Sequence, residues 1–288
     1  MRSYELDALR HVNNAVYQNY FEEAATRASA EAGFPYDWYF RQKRAWVIRQ
    51  MLIRYIAPLR YGDEVELRTW VSDVHRIYSH REYDLRRAGS GEPVARGRAK
   101  WVYVNLETMR PERIPPEAEE VFEPTGELED LHIRLRGAEE FLESYRYQTE
   151  RRVQRYELDP AGHVNNAVYL RWFEQAMWDA FERAGWPLER IIDNGLGMVQ
   201  VGHEVDYLRP ALNGMKLRII SQPVALSRTR GAWLHEIVEA GSGEVLTRDY
   251  SVGAFLDLAT GRPCALPGEI RGPLLSGPDG KEPANSGD

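Results

Sequence analysis

Two short stretches hold the residues best suited to chemistry. In one, Asp159 is followed by Gly162, His163, Asn165 and Asn166, and an apolar-periodic segment begins at once. In the other, Asp7, His11 and Asn14 stand at the same spacing, with Arg10 in the glycine's place. A helix start offers backbone N–H groups without internal partners at the positive end of the helix dipole. Such a start can hold the oxyanion that forms when a carbonyl is attacked. A carboxylate a few residues upstream can act as general base on water, or attack the carbonyl itself. Gly162 admits close backbone approach. His163, or His11 in the other stretch, can orient the carboxylate or carry a proton. The same residues also have a plain structural reading: Asp before a helix is often a cap, and His and Asn in turns often satisfy backbone groups.

Those stretches belong to a repeat. YELDALRHVNNAVYQNYFEEA starts at Tyr4 and YELDPAGHVNNAVYLRWFEQA at Tyr156, an offset of 152 that holds without a gap. From Tyr4 to Pro116, 34 of 113 pairs are identical. They include Gly33 with Gly185, Pro58 with Pro210, and the AGSGE segments at 88–92 and 240–244. A coincidental motif would not stay in register through loops, so the chain is a duplicated domain.

Each copy reads the same way. A short strand leads to the Asp, and a helix covers about 14–32 or 166–184. Val16, Tyr20, Ala24 and Ala28 form an apolar stripe in the first, and Val168, Trp172, Ala176 and Ala180 in the second. Gly33 and Gly185 end the helices, with Pro two residues on. In the second copy Val199, Val201, His203, Val205 and Tyr207 alternate with polar residues or glycine, the pattern of a half-buried antiparallel strand. Further strands are predicted over about 64–74, 77–87 and 94–106, and over 216–226, 229–239 and 246–258. A full strand at about 146–158 precedes the second motif, while the first has only six residues before Asp7, so its sheet is expected to have a short edge strand. One helix followed by a meander of long strands implies an α+β unit with the sheet wrapped on the helix. The predicted domains are 1–116 and 145–268, with a Pro/Glu-rich linker at 117–144 and a disordered tail at 269–288.

Net charge is −7, but residues 112–144 carry eleven Asp/Glu against three Arg, so the remainder is near neutral. That balance gives no support to nucleic-acid binding. Residues 41–100 hold fourteen Lys/Arg against seven Asp/Glu, which reads as a solvated strand face or a landing surface for an anionic carrier. The single cysteine, Cys264, excludes an internal disulfide and any multi-cysteine metal site. No leader or membrane span is read from the sequence, and the expected location is cytoplasmic.

The segments DPAGHVNNAVYLRWFE and DALRHVNNAVYQNYFE resemble the signature of the hotdog-fold thioesterases, a group that includes the 4-hydroxybenzoyl-CoA thioesterase type and the tandem acyl-ACP thioesterases. The resemblance implies a double hotdog that hydrolyses acyl-CoA or acyl-ACP thioesters, without metal or cofactor. It implies a catalytic Asp at Asp159, an oxyanion-binding N–H near Asn166, and in the acyl-ACP branch a participating His at His163. That branch usually has Asn midway between them; here Ala161 and Leu9 stand there, which favours acyl-CoA. In related single-domain enzymes each site is shared between two hotdogs. Asp7 and His11 are the weaker or lost counterparts, because Arg10 either crowds the thioester or binds a phosphate. Gly162, Asn165, Asn14, Tyr169, Tyr17 and His203 are the expected substrate-binding residues, His203 more as a pocket or core residue than a catalyst. Glu22 and Glu174 read as structural, and Cys264 is not a nucleophile. The partner expected is the acyl-CoA or acyl carrier protein substrate, and the assembly a monomer or homodimer of tandem chains. The rival readings are a non-catalytic acyl-thioester binding module and a hotdog hydratase or dehydratase.

Overall fold

The long helices begin where HVNN ends. In the computed structural model, α1 spans Asn14–Glu31 and α4 spans Asn166–Arg183, and Asn13 and Asn165 cap them by accepting the N–H of Ala15 and Ala167 at 3.0 Å. Gly33 (φ +93°) and Gly185 (φ +83°) follow in the left-handed region that ends a helix. Residues 1–128, 130–135, 137–141 and 143–278 are described, and they form two units, residues 1–132 and residue 133 onward.

In the first unit β1 (Arg44–Tyr55), β2 (Val65–Val74), β3 (Tyr78–Arg87) and β4 (Pro93–Asn105) form an antiparallel sheet in the order β2-β3-β4-β1. Two short helices, α2 (Tyr36–Arg41) and α3 (Pro116–Val121), lie outside it. In the second unit β5 (Glu139–Glu140) and β6 (Tyr147–Arg152) both pair with β8 (Lys216–Leu226). The order runs on through β9 (Arg230–Glu239) and β10 (Val245–Asp257) to β7 (Leu196–Tyr207). Helix α5 (Leu188–Asp193) precedes β7, and α6 (Gly268–Ser276) follows β10. No helix among the described residues is long and apolar enough to cross a membrane.

Each sheet packs on its helix through an aromatic ring. Phe21 stacks on Tyr83 of β3 at 4.7 Å, and Phe173 stacks on His235 of β9 at 5.2 Å. These rings decide the helix phase. On α1 the buried row is Tyr17, Phe21 and Ala25, while Tyr20, Ala24 and Ala28 are only half-buried. Two large rings bury more apolar area than the alanines of the predicted stripe. On α4 the predicted Trp172, Ala176 and Ala180 are buried together with Tyr169, Phe173, Met177 and Phe181, so two neighbouring rows face inward.

Several expectations need correction. The approach to each Asp is not a strand but a 3-10 turn, Ser3–Glu5 or Arg155–Glu157, closed by a single bridge between Leu6 and Val12 or Leu158 and Val164. The alternation read through Val199 and Val201 stops at a β-bulge. The register jumps from Val252↔Gly202 to Gly253↔Gln200, so Val201 is unpaired and the buried phase begins at His203. Arg49 is skipped at the equivalent place in β1. Within the expected linker, Ala118 packs with Ile114, Tyr39 and Tyr103, because apolar residues recur there every four positions. Within the expected tail, α6 buries Ile270 and Leu274 against Tyr147, Phe181 and Trp233. Positions 279–288 of that tail lie outside the described residues.

The first sheet has one tight approach that tests this packing. A Cβ on Gly97 would stand 2.7 Å from the Phe21 ring and 3.2 Å from Met51 Cε, whereas on Gly253 the nearest atom would be Val199 O at 3.5 Å. Gly97→Ala is expected to cost about 1–3 kcal/mol through overpacking, and Gly253→Ala less than half of that. Urea midpoints of the two variants check this; equal losses would show that Phe21 does not sit against the glycine.

Candidate active site

The Asp159 loop is a closed turn. The Asp159 N–H donates to His163 O at 2.7 Å and the Gly162 N–H to Asp159 O at 3.0 Å. The side-chain Oδ1 accepts the N–H groups of Ala161 (2.8 Å) and His163 (3.2 Å). Oδ2 accepts no hydrogen bond among the described residues, so one oxygen is committed to the turn and the other is open. The first copy repeats this: Asp7 Oδ1 accepts from Leu9 at 2.8 Å and His11 at 3.0 Å. The fourth position is left-handed in both, Gly162 at φ +82° and Arg10 at φ +63°. The loop is clamped to the chain that follows β7. The Val164 N–H donates to Ala211 O at 3.0 Å, and His163 forms a bridge with Leu212.

The helix start completes the arrangement. The Asn165 side chain occupies the Ala167 N–H, and the Asn166 N–H makes no hydrogen bond within the described residues. It is left at the positive end of α4, where an oxyanion would be stabilised. Two tyrosines hold this corner. The Tyr169 hydroxyl accepts the Ala211 N–H at 2.9 Å, and the Tyr207 hydroxyl donates to Asn166 O at 3.1 Å, the two rings meeting edge to face at 5.4 Å. Burial pushes the Tyr169 hydroxyl up to about 12, so it acts as a neutral post. Tyr17 and Tyr55 repeat the pattern on Leu59 and Asn14. Behind the turn the buried Glu157 carboxylate accepts from the Trp172 indole at 3.1 Å and from the Gln154 N–H at 2.7 Å, and pairs with Arg151. One network thus joins Asp159, Gly162, His163, Asn165, Asn166 and Tyr169. The His163 ring takes no part in it; the backbone N–H of His163, not its imidazole, orients the carboxylate.

Against this geometry, the sequence matches the thioesterase-like superfamily over residues 1–122 and 153–274, both copies. The chain belongs to this superfamily. It is 33% identical over 124 residues to the long-chain acyl-CoA thioesterase FadM of Escherichia coli, covering 43% of this chain and 93% of that protein. It is 28% identical over 184 residues to the chloroplastic acyl-[acyl-carrier-protein] hydrolase FATB2 of Cuphea viscosissima, covering 60% of this chain but 44% of that relative. The chain therefore matches less than half the length of the plant protein. Among solved structures, the 12:0-ACP thioesterase of Umbellularia californica superposes with a TM-score of 0.68 at 20% identity, over 88% of this chain and 91% of that one. An acyl-ACP thioesterase of Bacteroides thetaiotaomicron gives 0.66 at 17% identity, over 87% and 93%. At such identities these likenesses establish the fold, a double hotdog.

Within this thioesterase-like chain, His203 lies apart from the turn, in a buried polar row that sequence reasoning missed. On the second sheet His203 Nδ1 pairs with Asp249 Oδ2 at 2.9 Å. His235 bonds Ser221 Oγ through Nδ1 at 2.7 Å and Ser251 Oγ through Nε2 at 3.2 Å. All five are almost fully buried across four adjacent strands. The first copy has Met51, Gly97, Tyr83, Thr69 and Ala99 at the equivalent positions. Four of the five changes put a polar or ionisable side chain where the repeat has glycine, an apolar residue or Tyr, and that contrast was the available signal. Burial pushes the Asp249 carboxyl above its usual range, against the pull of His203. Cys264 packs against the core beside Phe255, and burial raises its thiol.

The second unit has a small, partly open apolar recess lined by Phe141, Phe181, Trp233, Phe255, Leu266 and Leu274. None of the predicted site residues lines it. Phe181 lies fifteen residues along α4 from Asn166, roughly 22 Å at helical rise.

His235 carries a pH prediction. Burial, with the charge of His203, pushes its imidazole from 6.5 down to about 3. The native side chain stays neutral where the unfolded chain takes up a proton. Its contribution is therefore complete above about pH 6.5 and is lost as pH falls towards 3, at up to about 1.4 kcal/mol per unit. Asp249, shifted upward, acts in the opposite sense above pH 4. Urea unfolding at pH 7 and pH 5 is expected to show a smaller pH difference in His235→Phe than in the parent chain. Identical differences would mean that His235 titrates normally.

Proposed function

We propose that this chain hydrolyses acyl thioesters, with water taken up and the free acid and thiol released. The carrier is coenzyme A or acyl carrier protein. Relatives named for each carrier match it: FadM is a long-chain acyl-CoA thioesterase and FATB2 an acyl-ACP hydrolase. The observation that carries the reading is the Asp159 carboxylate, anchored through Oδ1 with Oδ2 unbonded, in one hydrogen-bonded corner with the open Asn166 N–H. Oδ2 either takes the proton of the attacking water or attacks the carbonyl carbon itself. The Asn166 N–H donates to the developing oxyanion. Gly162 leaves the approach free, and the His163 imidazole, half-exposed and without a hydrogen bond inside the described residues, is placed to meet substrate or carry a proton. Asp7 is the weaker counterpart, because the Arg10 side chain stands exposed where Gly162 has none. The working units proposed are residues 1–116 and 145–268.

Asp159→Asn keeps an oxygen for the Ala161 and His163 N–H groups, so the turn survives while the base or nucleophile is lost. Thiol release from a panel of acyl-CoA and acyl-ACP chain lengths is expected to fall by at least about 10²-fold, and by less in Asp7→Asn. Unchanged turnover in Asp159→Asn would remove Asp159 from the reaction.

A further inference from the structure

The β2–β3 hairpin of the first unit carries a second group of chemistry-bearing side chains, sharing no residue with the Asp7 turn. Asp73 lies at the end of β2, His75 in the turn and His80 near the start of β3. His80 Nδ1 lies 2.9 and 2.8 Å from the two Asp73 oxygens, and His75 Nε2 lies 3.7 Å from Asp73 Oδ1. One ligand atom from each residue falls within 4.8 Å of the other two. A tetrahedral zinc ion with bonds of about 2.0–2.2 Å places neighbouring ligand atoms roughly 3.3–3.6 Å apart. The two separations to Asp73 bracket that range.

The side chains are held as a set. The His80 backbone N–H donates to Asp73 Oδ1 at 3.0 Å, fixing the carboxylate. The His75 N–H donates to Tyr78 O at 2.7 Å, closing the turn. The Tyr78 ring stacks on His75 at 4.4 Å and meets His80 edge-on at 5.5 Å, so both imidazoles lean on one aromatic plate. Lys100 Nζ sits over the same ring, 4.0 Å from its centroid, and is the opposing charge that Asp73 must outweigh. The hairpin does not need these side chains to form. The second copy builds its β8–β9 hairpin with Ala225, Ser227 and Ala232 at the equivalent positions.

We propose that Asp73, His75 and His80 bind one divalent transition ion, zinc being the best fit. Two imidazoles and one carboxylate form a borderline N/O set that suits zinc better than magnesium or calcium. Water completes a tetrahedral shell. The ion staples the end of β2 to the start of β3 at the edge of the first sheet.

The test uses the full chain, stripped with a chelator and titrated with zinc against a chromophoric competitor. One equivalent of uptake is expected. Asp73→Ala and His80→Ala are expected to weaken it at least 100-fold, and His75→Ala about tenfold, while His132→Ala, an exposed histidine outside the group, leaves it unchanged. His75 is half-exposed, so its variant keeps the fold and carries the decision even where the other two are destabilised. An ordinary Asp73–His80 ion pair predicts no stoichiometric uptake. Either that result, or uptake untouched by His75→Ala, overturns the proposal.

Discussion

In each copy two backbone N–H groups converge on one aspartate oxygen, Oδ1 of Asp7 or Oδ1 of Asp159, and the long helix starts where that turn leaves it. A hydrogen bond to a charged group contributes about 1.5–3 kcal/mol. Two of them outweigh the roughly 1–2 kcal/mol that a side chain costs in the left-handed region. That comparison explains Arg10, which keeps the turn geometry at φ +63° without being glycine. The turn is a structural device first. The tyrosine posts, the Asn cap and the open N–H of Asn166 all depend on the direction it gives the chain.

The same anchoring is compatible with chemistry because a carboxylate has two oxygens. Pinning Oδ1 removes rotational freedom without occupying Oδ2, so the second oxygen is held in place and stays open. An aspartate serving only as a cap would be equally well satisfied. The structural and catalytic readings of this residue are therefore complementary, and both can hold at Asp159.

Much of the fold was legible because the duplication supplied an internal control. The register at offset 152 carried the limits of the long helices and of the later strands across both copies to within three residues, but the strand expected over 146–158 ends at Arg152. What failed did so for physical reasons. Neighbouring apolar rows on α1 were equivalent in hydropathy, and ring size chose between them. The bulge at Arg49 changes the strand phase without any glycine or proline to mark it, and at Val201 the neighbouring Gly202 fits an ordinary alternating strand as well as a bulge. The helix in the tail rests on just two buried side chains, Ile270 and Leu274, in a segment whose composition is otherwise that of a loop. The Asp159 turn was readable because its partners lie within four residues. The row from His203 to Ser221 was not, because it is assembled from four strands and joins residues up to 46 apart.

The two copies show how far one scaffold tolerates chemical divergence. Phe21 and Phe173 sit at the same helical position, and each stacks on the ring of its third strand, Tyr83 or His235. The contact is aromatic in both, so packing is preserved. Beneath the ring, however, the first copy has room only for Gly97, while the second places Asp249 there and pairs it with His203. A buried carboxylate can be kept only with a partner. Introducing Asp249 without His203, or replacing Met51 alone, would have left a lone polar group in a close-packed layer. The polar row is thus a coupled set of changes laid over an unchanged turn. The sites of divergence and of constancy are physically separate: sheet interiors changed by compensation, while the turn, whose bonds are made mostly by backbone, admitted even Arg10.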